Sequence, residues 1–446
     1  MSITGKLVII GSGIAGLSAA RSARRRYPHV DITIVSEAPT GFYNRIALGA
    51  YVTGKRSTAE LHTFAHHLFA AERIHTCFGV RVAHIDADHR QVTLVDGTAL
   101  AYDKLILALG ASPVLPPIPG VRENGVFTLW TLDHAKQLKA ALTKAQRVTI
   151  IGGGVLGVEA ALDITATGKT VHLVEAAGTL MPHLLEEKSA RSVGRTLTQR
   201  GIHVVLNSQA EQIIQLGTAL STQLPGRSIE SDLVLVSIGV RPNLQLAVDA
   251  GLRTANGIVV NNTYHTSNPN ILACGNCIVQ PKGETLLWNP AKEQGWAAGN
   301  NAFSTHSVAP SRPAPVHLKS ESIPIFVLGN PKSVSTTAVC IRENDVERGV
   351  ERVVYISTDG KLEYAMLRGD VNGFHELERW FKTEQSLPDH YRTASTVTSL
   401  LAKALESEPF TKTAWTCDVC GYTHEGNLPP HICPVCSVGK DQFLAA

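Results

Sequence analysis

The stretches LVIIGSGIAGLSAA at residues 7–20 and VTIIGGGVLGVEAA at residues 148–161 repeat one pattern within a single chain. In each, a four-residue run of β-forming residues meets glycines at positions 1, 3 and 6, and an Ala-rich helical stretch follows. Each element of the pattern has a physical reason. The first glycine (Gly11, Gly152) makes the tight turn, the second (Gly13, Gly154) lets a ligand pyrophosphate approach the backbone, and the third (Gly16, Gly157) permits close packing of helix on strand. The pyrophosphate then lies over the helix N-terminus, where backbone N–H groups have no partner. Both stretches therefore predict a strand, turn and helix that bind a dinucleotide.

One glycine-rich loop is weak support, because such loops recur for steric reasons alone. Here each is completed downstream. The strand 171–174 ends at Glu175, placed for ribose hydroxyls, and the strand 31–35 ends at Ser36 and Glu37. A surface carboxylate at a strand end is the competing reading for both acids. Two further apolar runs, 102–110 (YDKLILALG) and 233–239 (LVLVSIG), each enter a glycine turn, and the second continues into Arg241-Pro242-Asn243. Beyond them lie ILACGNC at 270s positions 271–277 and WNP at 288–290, the proline suiting the first turn of a helix.

Length and composition bound the rest. At roughly 100–200 residues per domain, 446 residues suggest two to four domains, and 44% hydrophobic residues suffice for real cores. Forty-one Lys and Arg against 38 Asp and Glu leave +3, which gives no support to nucleic-acid binding. Arg24-Arg25-Arg26 reads as a solvated helix face. No apolar window has the length of a membrane span, and the N-terminus enters a strand-like run at once, so no signal peptide is expected. Eight cysteines under those conditions point to a reducing, cytoplasmic setting, where close pairs mean metal or redox chemistry. Residues 309–317 read as a Pro-rich connector, 323–367 as short strands, and 373–385 as a helix packing Phe374, Leu377, Trp380 and Phe381 into a core.

Cys417-x-x-Cys420 and Cys433-x-x-Cys436, with twelve residues between the inner pair, form two knuckles that can present four thiolates tetrahedrally to one metal, zinc or iron. Cys274 and Cys277 also make a CxxC, but they flank a Gly275-Asn276 turn, and no metal or redox use is expected there. Cys77 and Cys340 stand alone and read as small buried hydrophobes.

Taken together, GSGIAG, FYNRIALGAYVTGK at 42–55, AYDKLILALG, IIGGGVLGVEAA, VSIGVRPN, ILACGNC and WNPAKEQG resemble the FAD-dependent pyridine nucleotide reductases with two dinucleotide domains. The likeness is to NADH:rubredoxin reductases and to the reductase module of assimilatory nitrite reductases. Residues 414–446, with CGY, CPVC, Lys440 and Phe443, resemble the short rubredoxin-like domain that ends rubrerythrins, which favours iron in the four-cysteine site over a zinc ribbon.

The resemblance implies an α/β fold of two Rossmann-like three-layer domains, an α+β interface domain and a small rubredoxin-like domain. FAD would be bound by 1–114 with 246–318 and NADH by 115–245, followed by the interface domain at 319–405, a linker at 406–413 and the four-cysteine domain at 414–446. FAD contacts carried over from the family fall on Gly11, Gly13, Ala15, Gly16, Glu37, Arg45, Val82, Ala108 and Asn276, with Gly110 and Gly275 beside them. NADH contacts fall on Gly152, Gly154, Gly157, Glu175 and Gly239, and Glu159 is the catalytic candidate near the nicotinamide. The chain departs from the family at Asn276, usually Asp, and at Ala50, where many relatives carry Lys.

The same comparison excludes dithiol and single-thiol chemistry, because GFYNRIALGA has no cysteine where those enzymes place one. The implied reaction is hydride transfer from NADH to FAD, then single electrons through one iron held by Cys417, Cys420, Cys433 and Cys436 to an external acceptor protein. That acceptor would belong to a rubredoxin-dependent oxygen or peroxide reductase, or to a nitrate or nitrite reductase system. A redox-sensing flavoprotein with a zinc docking module is the alternative from another class.

Overall fold

The computed structural model describes residues 3–62, 66–279, 287–304, 315–320, 323–387, 394–405, 413–417, 423–426, 429–430 and 443–445. Two five-stranded parallel sheets dominate it. The first runs in the order Ile271–Ala273, Lys104–Leu107, Thr4–Ile10, His29–Ser36, Ile74–Phe78, and the second in the order Ile202–Val205, Thr170–Val174, Arg147–Ile151, Leu233–Val236, Val126–Thr128. In both, the strand that enters the glycine turn is central. Its near-continuous apolar sequence follows from burial on both faces, which parallel sheets impose. Ile9, Ile34, Leu105, Ile106 and Ile150 are fully buried, each worth about 1.5–3 kcal/mol.

The repeat extends beyond the quoted motifs. Each unit carries an antiparallel three-stranded meander, Val82–Asp86, Gln91–Leu94 and Ala99–Ala101 in the first, and Gln212–Leu216, Ala219–Leu224 and Arg227–Ser231 in the second. The chain crosses between units twice, and the crossings Ala111–Pro113 and Val240–Pro242 pair with each other antiparallel. Helix Trp288–Asn301 returns to the first unit and lies against helix Ile14–Arg26, so closely that a Cβ on Gly295 would stand 2.2 Å from the Ala15 carbonyl oxygen and one on Gly299 2.1 Å from that of Ala19.

A third, antiparallel sheet has the order Val316–Ser320, Ile323–Leu328, Leu362–Arg368, Val350–Ile356, Val339–Asp345. One side of it buries helix Phe374–Thr383, through Phe374, Leu377, Trp380 and Phe381, and helix Val397–Leu405. The other side shares a core with the second unit, in which Val353, Tyr364 and Met366 meet Leu184 and Leu185. Polar groups tie this junction. Glu351, 3% exposed, accepts from Ser189 at 2.8 Å, Arg342 at 3.0 Å and Arg368 at 3.3 Å, while Glu186 accepts from Tyr355 at 2.6 Å and from Arg342.

A small sheet of Thr423–Gly426, Thr413–Cys417 and Phe443–Ala445 ends the fold. Phe443 is buried in the core of the first unit, and Trp415 packs against the same core. Most of the expected linker, 406–412, and three of the four cysteines, Cys420, Cys433 and Cys436, lie outside the described residues, as does most of the Pro-rich connector. Among the described residues no helix is long and apolar enough to cross a membrane.

Two sequence expectations require correction. Cys340 is exposed and Cys77 half-exposed, because both lie on strands at the edge of their sheets, where one neighbour is missing. Arg24 is not simply solvated: its guanidinium donates to the carbonyl oxygens of Pro28, Val30, Glu72 and Arg73 and fastens the turn after its helix. Arg25 and Arg26 are exposed.

Candidate functional site

The two glycine turns share one geometry. Gly11 (φ 112°) donates its N–H to Val35 at 2.8 Å, and Gly152 (φ 113°) donates to Val174 at 2.8 Å. These φ values are open to glycine and rarely to other residues. A Cβ on Gly16 would stand 1.9 Å from the Gly11 oxygen, and one on Gly157 1.9 Å from the Gly152 oxygen. At Gly13 and Gly154 an added Cβ meets nothing within 4 Å. The outer glycines are thus required by the chain itself, while the middle ones face open space at the start of a helix.

Helix N-termini complete both cradles. Helices Ile14–Arg26 and Val155–Thr165 begin at Gly13 and Gly154 with no side-chain cap and no acid in the first turn. Their first N–H groups are left for an anion. Helix Trp288–Asn301 likewise lacks a side-chain cap, and it is held to the first cradle by Gln294, buried, which accepts the Gly275 N–H at 2.9 Å. At its start, the indole N–H of Trp288 and the Oδ1 of Asn289 are buried without a hydrogen-bond partner among the described residues. Orphaned donors and acceptors of this kind, beside an open glycine cradle, fit a dinucleotide with a polar ring system.

The remaining residues expected on the FAD side belong to the first unit and to the stretch 42–55. Ala108, 8% exposed, donates its N–H to Ile10 at 2.8 Å, and its oxygen leaves no room for a Cβ on Gly11. Val82 is buried at the start of the meander, Gly110 (φ 67°) opens the first crossing, a Cβ on Gly275 (φ 78°) would stand 2.8 Å from that of Ala15, and Asn276 is half-buried in the turn Gly275–Cys277. Glu37 is exposed beyond its strand. Arg45, in the short 3-10 turn Arg45–Ala47, stacks over Tyr43 and Trp130.

On the second side, Glu175 accepts the N–H of Gly153 at 2.6 Å and that of Ala177 at 2.8 Å, so its carboxylate is drawn onto the glycine loop. Gly239 (φ 113°) accepts from Val114 at 2.9 Å beside the second crossing. Glu159 is half-buried in the first turns of helix Val155–Thr165.

Several contributors carried no separate assignment in the sequence. Asn243 donates to the Leu109 oxygen at 2.9 Å and accepts from Ser112 at 2.8 Å, locking the two crossings together. It lies within the quoted VSIGVRPN, and Gln294 lies within WNPAKEQG, so both could have been found there. The stretch 42–55 joins the two units: Tyr43 Oη accepts the Leu132 N–H at 3.0 Å, Lys55 pairs with Asp163 at 3.2 Å, and Gly49 leaves room for the Asp163 carboxylate.

Cys274 and Cys277 are fully buried. Burial pushes the Cys277 thiol up to about 11 and raises Cys274 well above the ordinary thiol range, and Cys277 donates to the oxygens of Leu107 and Cys274. Both stay protonated near neutral pH and serve as packing. Cys417 ends its strand, and its partners lie outside the described residues.

Comparison with known proteins agrees with this geometry. Residues 5–295 match the family described as pyridine nucleotide-disulphide oxidoreductase, and residues 415–444 match the rubrerythrin, rubredoxin-like domain. The chain is 30% identical over 375 residues to the assimilatory nitrate reductase electron transfer subunit of Bacillus subtilis, covering 83% of this chain but only 48% of that one. It is 32% identical over 376 residues to the rubredoxin-NAD(+) reductase of Alcanivorax borkumensis, covering 82% of this chain and 95% of the relative. The reductase of the covalent putidaredoxin reductase–putidaredoxin complex shares the fold, with a TM-score of 0.81, 24% identity, and coverage of 91% of this chain and 99% of that one. Twin cradles, crossings and matches agree: the chain belongs to the pyridine nucleotide-disulphide oxidoreductase family, FAD-dependent oxidoreductases, and carries a rubredoxin-like domain at its C-terminal end.

Proposed function

We propose that this protein is an NADH-dependent flavoprotein reductase that sends single electrons through its own four-cysteine iron centre to an external electron-acceptor protein. The observation that carries the reading is the pairing of two open glycine cradles on facing units with a rubredoxin-like sheet whose Phe443 is buried in the core of the first unit. The chemistry FAD supplies when bound is the conversion of a two-electron hydride donor into single electrons that a mononuclear iron can take.

The chain's own residues bind and orient. Gly11, Gly13, Ala15 and Gly16 would hold the FAD pyrophosphate over a helix N-terminus, with Glu37, Arg45, Val82, Ala108, Gly110, Gly275 and Asn276 around the remainder. Gly152, Gly154, Gly157, Glu175 and Gly239 would hold NADH, with Glu159 beside the nicotinamide. The uncapped start of helix Trp288–Asn301 favours negative charge on a neighbouring ring oxygen. Cys417, Cys420, Cys433 and Cys436 would bind one iron.

The Alcanivorax relative, named for rubredoxin, supports a rubredoxin-type acceptor, and this chain spans nearly all of it. The Bacillus relative supports a second reading, service to a nitrate-reducing system, although this chain spans about half of that protein. Metal analysis with anaerobic rapid mixing tests the proposal. Iron and flavin in equal amounts, with NADH bleaching first the flavin and then the iron–thiolate absorption, is the expected result. Zinc in the four-cysteine site, or iron that stays oxidised while flavin is reduced, would overturn it in favour of a docking module.

A further inference from the structure

We propose that Trp130, on the NADH-binding side, is a positioning residue for FAD that acts through Arg45. The inference rests on the reading above that Arg45 contacts FAD. The guanidinium carbon of Arg45 lies 5.5 Å from the ring centroid of Trp130 and 5.6 Å from that of Tyr43, so one cation is shared by aromatic rings from both units. Among the described residues, Arg45 has no hydrogen-bond acceptor and no carboxylate. A guanidinium held by ring faces keeps its in-plane N–H donors unspent, and a phosphate or carbonyl oxygen is the acceptor they fit.

Both rings are themselves fixed. The Trp130 indole donates to the Ala111 oxygen at 2.6 Å, at the first residue of a crossing strand, and Tyr43 Oη accepts from Leu132 at the start of helix Leu132–Leu142. The seating of the NADH-binding unit on the crossing therefore sets where Arg45 points. Through this contact a residue outside the FAD-binding unit governs how tightly FAD is held.

Apoprotein titrated with FAD, following quenching of flavin fluorescence, tests this with Arg45→Ala, Trp130→Leu, Trp130→Phe and the Arg45→Ala/Trp130→Leu double variant. Trp130→Leu keeps apolar bulk but removes the ring face, which protects folding. The expected result is FAD binding weakened about fivefold to tenfold by Arg45→Ala and by Trp130→Leu, as loss of a partly desolvated cation–π contact implies. Trp130→Phe, which keeps a ring face but loses the indole donor to Ala111, should bind FAD more tightly than Trp130→Leu, and the double variant should be no weaker than Arg45→Ala alone. The proposal is overturned if the two losses multiply in the double variant, if Trp130→Leu binds FAD like the parent, or if Trp130→Phe is weaker than Trp130→Leu. If Arg45→Ala itself leaves FAD binding unchanged, the reading of Arg45 fails instead, whatever Trp130 does.

Discussion

Glu175 and Glu37 close equivalent strands one residue out of step. Val174 accepts the N–H of Gly152 and Val35 that of Gly11, both at 2.8 Å, so the counterpart of Glu175 is Ser36, which shares a 2.8 Å hydrogen bond with Ser12, while Glu37 stands one position further on and exposed. The two cradles are thus built alike but charged differently. In the second, a carboxylate lies on the loop itself, bonded to the Gly153 and Ala177 amides.

On the proposed reading, that carboxylate faces the ribose of the second nucleotide and selects for NADH. Glu175 is followed by Ala176 and Ala177, with no Arg to accept a 2′-phosphate, so NADH is the expected donor over NADPH. Steady-state kinetics with both nucleotides should show kcat/KM at least tenfold higher for NADH, and Glu175→Ala should narrow the ratio by raising KM for NADH. Equal efficiency of the two nucleotides with the parent enzyme would remove this assignment.

The third glycines offer a test of which cradle holds which nucleotide. A methyl at either Gly16 or Gly157 would stand 1.9 Å from a backbone oxygen, a distance at which the loop must move. Gly157→Ala should therefore retain FAD yet raise KM for NADH at least tenfold, whereas Gly16→Ala should purify with little flavin. Flavin absorbance and NADH titration read the two outcomes, and the opposite pattern would exchange the sites.

In the third, antiparallel sheet, Glu351 is nearly inaccessible and answers both Arg342 and Arg368. Replacing one partner in a buried network leaves the others with uncompensated charge, which costs about 3–5 kcal/mol. Glu351→Ala should lower stability by that order in urea unfolding, with the third sheet separating first from the second unit. A change below 1 kcal/mol would mean that the network is solvated in solution.

The pH dependence of stability has a definite sign. Burial, followed by the stacked His203 ring at 4.7 Å and by Arg227, lowers the pKa of His172, whose Nδ1 has no hydrogen-bond partner among the described residues. The fold binds the neutral imidazole, so the unfolded chain takes up the proton first. The contribution is complete above the ordinary histidine range, near about 6.5, and is lost as pH falls through the lowered folded value. His134 and His265 are lowered as well, with burial foremost. The melting temperature should fall between pH 7 and 5, and His172→Leu should reduce that slope; a flat profile in the parent would rule the effect out.

What the sequence made legible is what local sterics dictate. The first and third glycines of both turns were readable because a positive φ or a contact with backbone leaves no other residue type, and the parallel strands because burial on both faces calls for largely apolar runs. Contacts set by how the units seat on each other had no local signal. Arg45 lies far from Trp130 in sequence, and nothing in the residues around either names the other. The exposure of Cys340 depends on strand order, which no short stretch encodes, and Arg24 is occupied by carbonyls that only the folded turn brings within reach.

The chain carries two kinds of paired cysteine. Burial keeps Cys274 and Cys277 protonated, and a thiol must lose its proton to hold a metal. Cys417, Cys420, Cys433 and Cys436 have the spacing that lets two turns offer four thiolates. Replacing Cys417 or Cys433 with Ser should abolish the visible iron absorption while leaving FAD bound and NADH-to-dye reduction intact, since the dye takes electrons without the iron. Cys274→Ser should keep the full iron content, with stability reduced by about 1–3 kcal/mol because a hydroxyl is buried in an apolar core. Iron content and flavin content measured on the same samples decide it: loss of iron in Cys274→Ser with retention in Cys417→Ser would place the metal in the first unit and take the C-terminal sheet off the electron path.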